Sequence, residues 1–214
     1  TAPAITIAAL KAKDLFKDKN IDPILLILSS DHEIKNIRNF KLVIENGIKA
    51  ALNENLVVFG VPPTYAATGY GYIRTLNLIN QNQNVESKVE NFTEKPDLET
   101  AKLMFKDKRY LWNSGMFVFS ANTILNEIKK FAPQILDQCE KCLSKSKRDL
   151  DFLRLEKSSF LKCDNISIDK SIFEKTKNAY VIPLNCGWDD LGSWDSIWQT
   201  SKKDLEGNAL KGRV

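Results

Sequence analysis

Acidic residues that follow apolar runs are the first candidates for chemistry in this sequence. Asp31 comes soon after the run ILLIL at 24–28, and the pair Asp189 and Asp190 follows AYVIPL at 179–184. In open α/β sheets ligands collect outside the carboxyl ends of the strands, where both positions are expected to lie. Mg²⁺ uses one or two protein carboxylates and keeps its other positions for water and substrate phosphates. Asp31 together with one of Asp189 or Asp190 therefore predicts a Mg²⁺ site, although each aspartate could instead cap a helix.

The residues around the second acidic pair favour one fixed loop shape. The stretch CGWDDLGSWDSIW, at 186–198, flanks the two carboxylates with glycines and tryptophans. Glycines let a chain bend sharply, and packed aromatic rings hold the bend in place. Such a loop can aim a carboxylate at an ion, or it can be an ordinary, tightly packed turn.

Two neighbouring charged residues in FTEKPD, at 92–97, are suited to a sugar phosphate. Pro96 ends the predicted strand, so Glu94 and Lys95 escape the alternation that would point them to opposite faces. Glu94 can accept hydrogen bonds from hydroxyls, and Lys95 can supply positive charge to a phosphate. A simple turn is the alternative.

An amide side chain within an aromatic stretch is a further candidate for binding a sugar. Asn113 lies in YLWNSGMFVF at 110–119. An amide offers donors and an acceptor, and aromatic walls suit the partly apolar face of a sugar ring. Gly69 and Gly71, in TGYGYI, would let the backbone approach a ligand closely, although a G-x-G pair alone is a weak signal.

Alternating strand and helix patterns must position these candidates. Short apolar or alternating runs predict strands, and apolar residues at steps of three and four predict helices between them. The predicted strands cover 24–28, 56–60, 69–73, 88–94, 115–120 and 179–184. This alternation predicts an α/β fold with a mainly parallel, doubly wound, Rossmann-like sheet.

Charge and hydropathy exclude several functional classes. The 31 Lys and Arg against 27 Asp and Glu give a net charge of +4, and the basic residues are scattered, which argues against nucleic acid as a partner. No apolar run is long enough to span a membrane, and no signal segment opens the chain, so a cytoplasmic protein without a membrane partner is expected. The sequence is compatible with a homo-oligomer.

The four cysteines predict packing rather than metal or redox chemistry. Cys139 and Cys142 form a C-x-x-C within an amphipathic helical pattern, and Cys163 and Cys186 stand alone. Zinc requires two close pairs or supporting histidines, and the single histidine, His32, is distant in sequence. Reduced cysteines packed as small hydrophobic residues are therefore expected, with a metal or redox pair as the alternative.

Seven stretches together resemble a known family. TAPAI, SSDH, FGVPPTYAATGYGYI, VENFTEKPD, YLWNSGMFVF, SIDKSIFEKT and GWDDLGSWDSIW occur in the same order as the motifs of bacterial mannose-1-phosphate guanylyltransferases. These are the sugar-nucleotide pyrophosphorylases that make GDP-mannose, and they have the nucleotide-diphospho-sugar transferase fold. Several of them carry a second, C-terminal mannose-6-phosphate isomerase domain, so the parent gene could bear either name. The resemblance extends over nearly the whole chain.

The resemblance implies a reaction and six site residues. The mannose 1-phosphate oxygen would attack the α-phosphorus of GTP and expel pyrophosphate, without a protein nucleophile. Mg²⁺ would be held by two residues, mannose by three and the sugar's phosphate by one: Asp31 and Asp190; Gly71 (through its backbone), Glu94 and Asn113; and Lys95. His32 is expected to support Asp31 or to neighbour the nucleotide.

The sequence also departs from the family pattern. Ser29 stands where proline is usual and Ala67 where glutamate is usual. The family's glycine-rich loop with its arginine has no counterpart, and TAPAI begins in the middle of a helical pattern. We therefore expect residues 1–214 to be a nucleotidyltransferase domain that lacks its N-terminal strand, its glycine-rich loop and any C-terminal domain, and that is inactive alone.

Two other functions remain open from the sequence. A nucleotide-sugar glycosyltransferase would share the α/β architecture, but its usual compact D-x-D is replaced here by two acids far apart in sequence. A non-catalytic sugar-phosphate-binding module would explain the missing glycine-rich loop.

Overall fold

The computed structural model describes residues 1–80, 83–210 and 212. The strands, in chain order, are β1 (Ile24–Ile27), β2 (Glu33–Ile34), β3 (Leu56–Val61), β4 (Tyr72–Thr75), β5 (Ser87–Thr93), β6 (Tyr110–Ser120), β7 (Lys147–Asp149), β8 (Phe152–Arg154), β9 (Ala179–Pro183) and β10 (Trp188–Asp189). The helices are α1 (Ala2–Phe16), α2 (Ile37–Ala51), α3 (Leu98–Lys106), α4 (Ala121–Phe131), α5 (Pro133–Ser144), α6 (Lys157–Phe160) and α7 (Trp194–Thr200). A π-helical turn covers Asp169–Phe173.

The central sheet is mixed, with spatial order β1-β6-β3-β9-β5-β4. Within the described residues, β3 and β9 form its parallel pair, whereas β6 runs antiparallel to β1, β3 and β4, and β5 runs antiparallel to β4 and β9. The prediction of a mainly parallel sheet is therefore wrong. An apolar run indicates that a strand is buried, but not its direction, and the long strand β6 inserts in reverse between β1 and β3.

Helices cover both faces of the sheet, and β3 shows how one strand contributes to both cores. All six residues of β3 are buried. Leu56 and Val58 pack in the core that contains residues of α1, α4 and α5, whereas Val57 and Phe59 pack in the core that contains residues of α2 and α3. Successive side chains of a strand point to opposite faces, which explains the uniformly apolar run.

Helix α2 approaches the sheet most closely at Gly47. A Cβ atom at this position would lie 2.8 Å from Val118 Cγ1 and 2.9 Å from Phe59 Cζ. Contacts this short are not tolerated between packed carbon atoms, so the absence of a side chain lets α2 settle onto the sheet.

The cysteines pack as predicted. Cys139, Cys142 and Cys186 are buried, Cys163 is half-buried, and all four are free thiols. Cys139 Sγ lies 3.9 Å from Cys163 Sγ.

In the part of the chain that the structure describes, no helix combines the length and the apolar character needed to cross a bilayer.

Candidate active site

Four of the six predicted site residues line one cleft. Gly71, Glu94, Asn113 and Asp190 surround a space of ≈ 260 Å³, and Asp169 lines it as well. These residues come from five separate segments of the chain, and antiparallel pairing within the sheet contributes to bringing them together. In particular, the backbone N–H of Asn113 donates to the Gly71 carbonyl at 2.8 Å, at the end of the β4–β6 ladder.

Gly71 determines where the Glu94 carboxylate can lie. A Cβ atom on Gly71 would be 2.7 Å from Glu94 Oε2, and 3.4 Å from both Asn113 Cβ and Phe92 Cε1. Since a real Cβ cannot approach an oxygen that closely, glycine is the residue that leaves space for the carboxylate at the cleft wall.

The side-chain amide of Asn113 is held in one orientation. Its Oδ1 accepts a hydrogen bond from the backbone N–H of Gly115 at 3.0 Å. Its Nδ2 donates to Asp169 Oδ1 at 2.9 Å. The Gly115 N–H can only donate, and the ionised Asp169 carboxylate can only accept. Both hydrogen bonds therefore require the same orientation of the amide.

Asp169 is a site residue that the sequence analysis missed. It begins the π-helical turn Asp169–Phe173 and lies within the stretch SIDKSIFEKT. That stretch contributes to the family resemblance, but nothing in its spacing assigns a role to this aspartate. The signal that could have identified it is a carboxylate among buried apolar neighbours, since a group of that kind needs a partner.

The carboxyl groups of the cleft influence one another. Burial raises the pKa of Glu94, and the negative charge of Asp169 raises it further, while Lys95 and Lys170 act in the opposite direction. Burial also raises the pKa of Asp169, against the hydrogen bond from Asn113, which lowers it. The cleft is thus acidic and rich in hydrogen-bond acceptors, which suits a ligand that brings hydroxyl groups or a cation.

Asp190 is oriented toward the cleft by two hydrogen bonds to the same oxygen. Tyr70 Oη donates to Asp190 Oδ1 at 3.0 Å, and the backbone N–H of Gly192 donates to the same atom at 2.9 Å. The Tyr70 ring makes edge contacts with Trp112 and Trp188, with centroids 5.0 Å and 5.5 Å away. No donor among the described residues contacts Asp190 Oδ2, which leaves this oxygen available for a ligand.

The neighbouring Asp189 has a different environment. Its Oδ1 accepts hydrogen bonds from the Leu191 backbone N–H at 2.8 Å and from the Ser196 hydroxyl. It lines a separate pocket of ≈ 500 Å³. Ser193, rather than either aspartate, caps α7 by accepting from the Ser196 backbone N–H at 3.1 Å. Asp189 therefore stabilises the loop that carries Asp190.

Asp31 does not line the cleft, although its segment adjoins that of Asp190. It lies in the exposed loop after β1, and its carboxylate makes no hydrogen bond or ion pair with the described residues. The β2–β10 ladder pairs Glu33 with Asp189, so extending this antiparallel register by one residue brings His32 opposite Asp190. Trp188 Nε1 also donates to His32 Nδ1 at 3.0 Å, which links the two loops.

Two carboxylates on adjoining loops are candidate ligands for a divalent cation. Among the described residues, Asp190 Oδ2 and the Asp31 carboxylate accept no hydrogen bond, and Mg²⁺ needs few protein ligands when phosphates and water supply the rest. In residues 1–80, 83–210 and 212 there is no group of three or more His, Cys, Asp or Glu residues that could hold an ion by themselves. Binding would therefore depend on the substrate.

Lys95 lies beside the cleft rather than in its lining. Its Nζ is 3.8 Å from Glu94 Oε1, and its side chain is 65% exposed. Its φ of 45° lies in the left-handed region, which turns the chain after β5 and lets consecutive side chains at 94 and 95 share one side. The exposed side chain can reorient toward an arriving phosphate.

Comparison with known proteins assigns the family. The sequence model of the family described as Nucleotidyl transferase matches residues 1–207. The chain belongs to this family. Mannose-1-phosphate guanylyltransferase RfbM of Salmonella typhimurium is 46% identical over 214 residues, which is 100% of this chain and 44% of that protein. The xanthan biosynthesis protein XanB of Xanthomonas campestris is 44% identical, again over 100% of this chain and 44% of that protein. The chain thus spans less than half the length of these relatives.

Two solved structures share the fold of this chain. The mannose-6-phosphate isomerase from Helicobacter pylori superposes with a TM-score of 0.77 and 32% identity, covering 89% of this chain and 71% of that one. The mannose-1-phosphate geranyltransferase from Thermus thermophilus superposes with a TM-score of 0.76 and 26% identity, covering 93% and 54%. The prediction of an α/β fold is confirmed, and the fold is that of the nucleotidyl transferase family with a mixed sheet instead of the mainly parallel, doubly wound one that was predicted.

Proposed function

We propose that the full-length protein transfers GMP from GTP to mannose 1-phosphate, forming GDP-mannose and pyrophosphate. The observation that supports this most strongly is the cleft that gathers Gly71, Glu94, Asn113 and Asp190. It occurs in a chain that aligns over its entire length with mannose-1-phosphate guanylyltransferases.

The sugar would bind in the part of the cleft formed by Gly71, Glu94 and Asn113. The Glu94 carboxylate accepts hydrogen bonds from sugar hydroxyls, and the remaining N–H of the Asn113 amide donates one. Lys95, just outside the lining, draws the sugar's phosphate by charge and holds it near Asp190. Binding of this kind aligns the attacking oxygen for in-line displacement, which supplies much of the rate enhancement in reactions without a protein nucleophile.

The metal-binding side of the site would be formed by Asp31 and Asp190. Their carboxylates would hold the ion, and Tyr70 and Gly192 keep Asp190 in a fixed orientation. When bound, Mg²⁺ neutralises phosphate charge on GTP and on the departing pyrophosphate. His32 links the loops through Trp188 and acts as a support rather than as a base.

The setting of this reaction is also part of the proposal. Four free thiols suit a reducing compartment, so we place the protein in the cytoplasm, where nucleoside triphosphates are available. The homo-oligomer stays a prediction that size-exclusion chromatography can test.

The test uses the full-length gene product with GTP and mannose 1-phosphate, and follows pyrophosphate release and GDP-mannose formation. We expect activity that EDTA abolishes and that Asp190→Asn reduces by about 100-fold or more, since a lost charge ligand removes transition-state stabilisation. Asp195→Asn is the matched control, because Asp195 is an exposed carboxylate in the first turn of α7, five residues from Asp190, and does not line the cleft. Wild-type protein that forms no GDP-mannose under these conditions would contradict the proposal.

A mannose-6-phosphate isomerase activity is a second candidate for the full-length protein. It is suggested by the name of the superposed Helicobacter pylori structure. The proposal assigns the cleft to guanylyl transfer, so Asp190→Asn should leave any conversion of mannose 6-phosphate to fructose 6-phosphate unchanged. Parallel loss of both activities would argue that the cleft serves the isomerase as well.

A further inference from the structure

Among the described residues, the second N–H of the Asn113 amide has no partner, and Asp169 determines where it points. Gly115 occupies the amide oxygen, and Asp169 Oδ1 occupies one of the two N–H groups. The second N–H of Nδ2 is fixed by the planarity of the amide once the first is bound. An unrestrained asparagine could rotate and present either its oxygen or its nitrogen to a ligand, whereas the oxygen and nitrogen of this amide are held in fixed positions.

Asp169 is itself firmly anchored. Ile168, Ile172 and Phe173 around it are buried, and the Phe173 ring stacks on Phe117 of β6 with centroids 4.7 Å apart. The turn that carries the carboxylate is thereby fixed to the strand that carries Asn113. Packed side chains in low-energy rotamers resist displacement, so this hydrogen bond is preorganised before a ligand arrives.

Asp169 also acts on Glu94. Burial raises the pKa of Glu94, and the charges of Asp169 and Glu174 raise it further, while Lys95 and Lys170 lower it. The cleft therefore presents a fixed donor at Asn113 and an acceptor at Glu94, and Asp169 influences both.

We propose that Asp169 is a positioning and specificity-determining residue, which orients the Asn113 amide so that this donor and the Glu94 acceptor recognise neighbouring hydroxyl groups of a hexose 1-phosphate. This inference rests on the proposed function and deepens it. Epimeric hexoses present the same hydroxyls in different directions, so a fixed donor and acceptor pair discriminates between them. A mobile amide would tolerate both epimers.

The test separates the hydrogen bond from the charge with two variants of the full-length gene product. Asp169→Ala removes both, whereas Asp169→Asn is nearly isosteric and keeps a carbonyl oxygen that can accept from Asn113. Asp164→Asn is the control, since Asp164 is an exposed carboxylate of the same segment that does not line the cleft. Steady-state kinetics are measured with mannose 1-phosphate, glucose 1-phosphate and GTP across pH, and melting temperatures are recorded for each variant.

For Asp169→Ala we expect the KM for mannose 1-phosphate to rise about 5- to 30-fold, from the loss of one preorganised polar contact, with the KM for GTP nearly unchanged. Its preference for mannose over glucose should fall by a similar factor. Asp169→Asn should keep most of this preference. In both variants the acid limb of kcat/KM should move to lower pH, because removing a negative charge lowers the pKa of Glu94.

Other results would contradict the inference, the proposed function or both. If Asp169→Ala behaves like Asp164→Asn, or if it raises the KM values for sugar phosphate and GTP equally, Asp169 has no positioning role and the inference is wrong. If the wild-type protein uses another hexose 1-phosphate, the proposed function fails in its sugar while the same comparison still tests Asp169. If calorimetry detects no binding of any hexose 1-phosphate, both fail.

Discussion

Replacing Gly71 by alanine should weaken sugar-phosphate binding with little effect on folding. The added methyl group would lie 2.7 Å from Glu94 Oε2, whereas ordinary contacts begin at about 3.4 Å. The Glu94 carboxylate must therefore move by about 0.7 Å (3.4 − 2.7). It moves in preference to the Gly71 backbone, because the end of a side chain can rotate whereas the backbone is held in the fold. The remaining contacts of the methyl group, at 3.4 Å, are tight but tolerable.

The displacement is large on the scale of a hydrogen bond. A hydroxyl that donates to a carboxylate at about 2.8 Å would be left at roughly 3.5 Å, the outer limit of a useful contact. A hydrogen bond to a charged group contributes about 1.5–3 kcal/mol, which corresponds to roughly 10- to 150-fold in affinity. We expect the KM for mannose 1-phosphate to increase within that range while the free energy of unfolding changes by less than about 1 kcal/mol.

The chain provides a matched control for this variant. Gly69 lies two residues away in the same loop and also borders the cleft, but a Cβ atom there meets nothing within 4 Å. Gly69→Ala should therefore leave Glu94 in place and raise the KM much less than Gly71→Ala does, which separates the local clash from any effect of stiffening the loop. Equal KM values for Gly71→Ala and Gly69→Ala would refute the argument, as would a loss of stability large enough to explain the weaker binding.

Three further predictions concern packing, metal affinity and thiol chemistry. Gly47→Ala should lower the free energy of unfolding in urea by about 1–3 kcal/mol through overpacking against the sheet; an unchanged midpoint would contradict the close approach of α2. Tyr70→Phe should weaken Mn²⁺ binding several-fold, read by water-proton relaxation with GTP present, because Asp190 loses one of the two donors on Oδ1; unchanged affinity would show that Gly192 suffices. Burial raises the pKa of Cys139 to about 12, so this thiol should resist iodoacetamide at pH 8 until the protein unfolds, and rapid labelling in the native state would disprove its packing.

Local sequence patterns were enough to locate most of the secondary-structure elements and several residues that line the cleft. Apolar runs located β1, β3 and β9. Strands β3 and β9 are buried almost throughout, which explains their continuous apolar runs, whereas β1 lies at the edge of the sheet and exposes Leu26. Aspartate is a preferred N-cap residue, and the Asp97 side chain accepts from the Thr100 backbone N–H at 2.8 Å at the start of α3. Motif resemblance indicated Glu94, Asn113 and Gly71, and these now lie together in one cleft.

Strand direction and long-range partners required the tertiary structure. The reversed insertion of β6 between β1 and β3 depends on pairing between residues far apart in sequence, about which local periodicity carries no information. The same reason explains why Asp169 escaped notice, since its partner Asn113 is 56 residues away.

The loop after β9 shows most clearly which features the sequence determines and which depend on the tertiary structure. The amino-acid sequence by itself determined that a rigid, aromatic, acidic loop follows that strand, because glycines, tryptophans and aspartates are local properties of the chain. Only the tertiary structure decided that Asp189 bonds within the loop while Asp190 faces the cleft, because Tyr70 from another segment selects between them. Adjacent side chains differ in direction, and which direction faces a ligand depends on the neighbours that folding brings there.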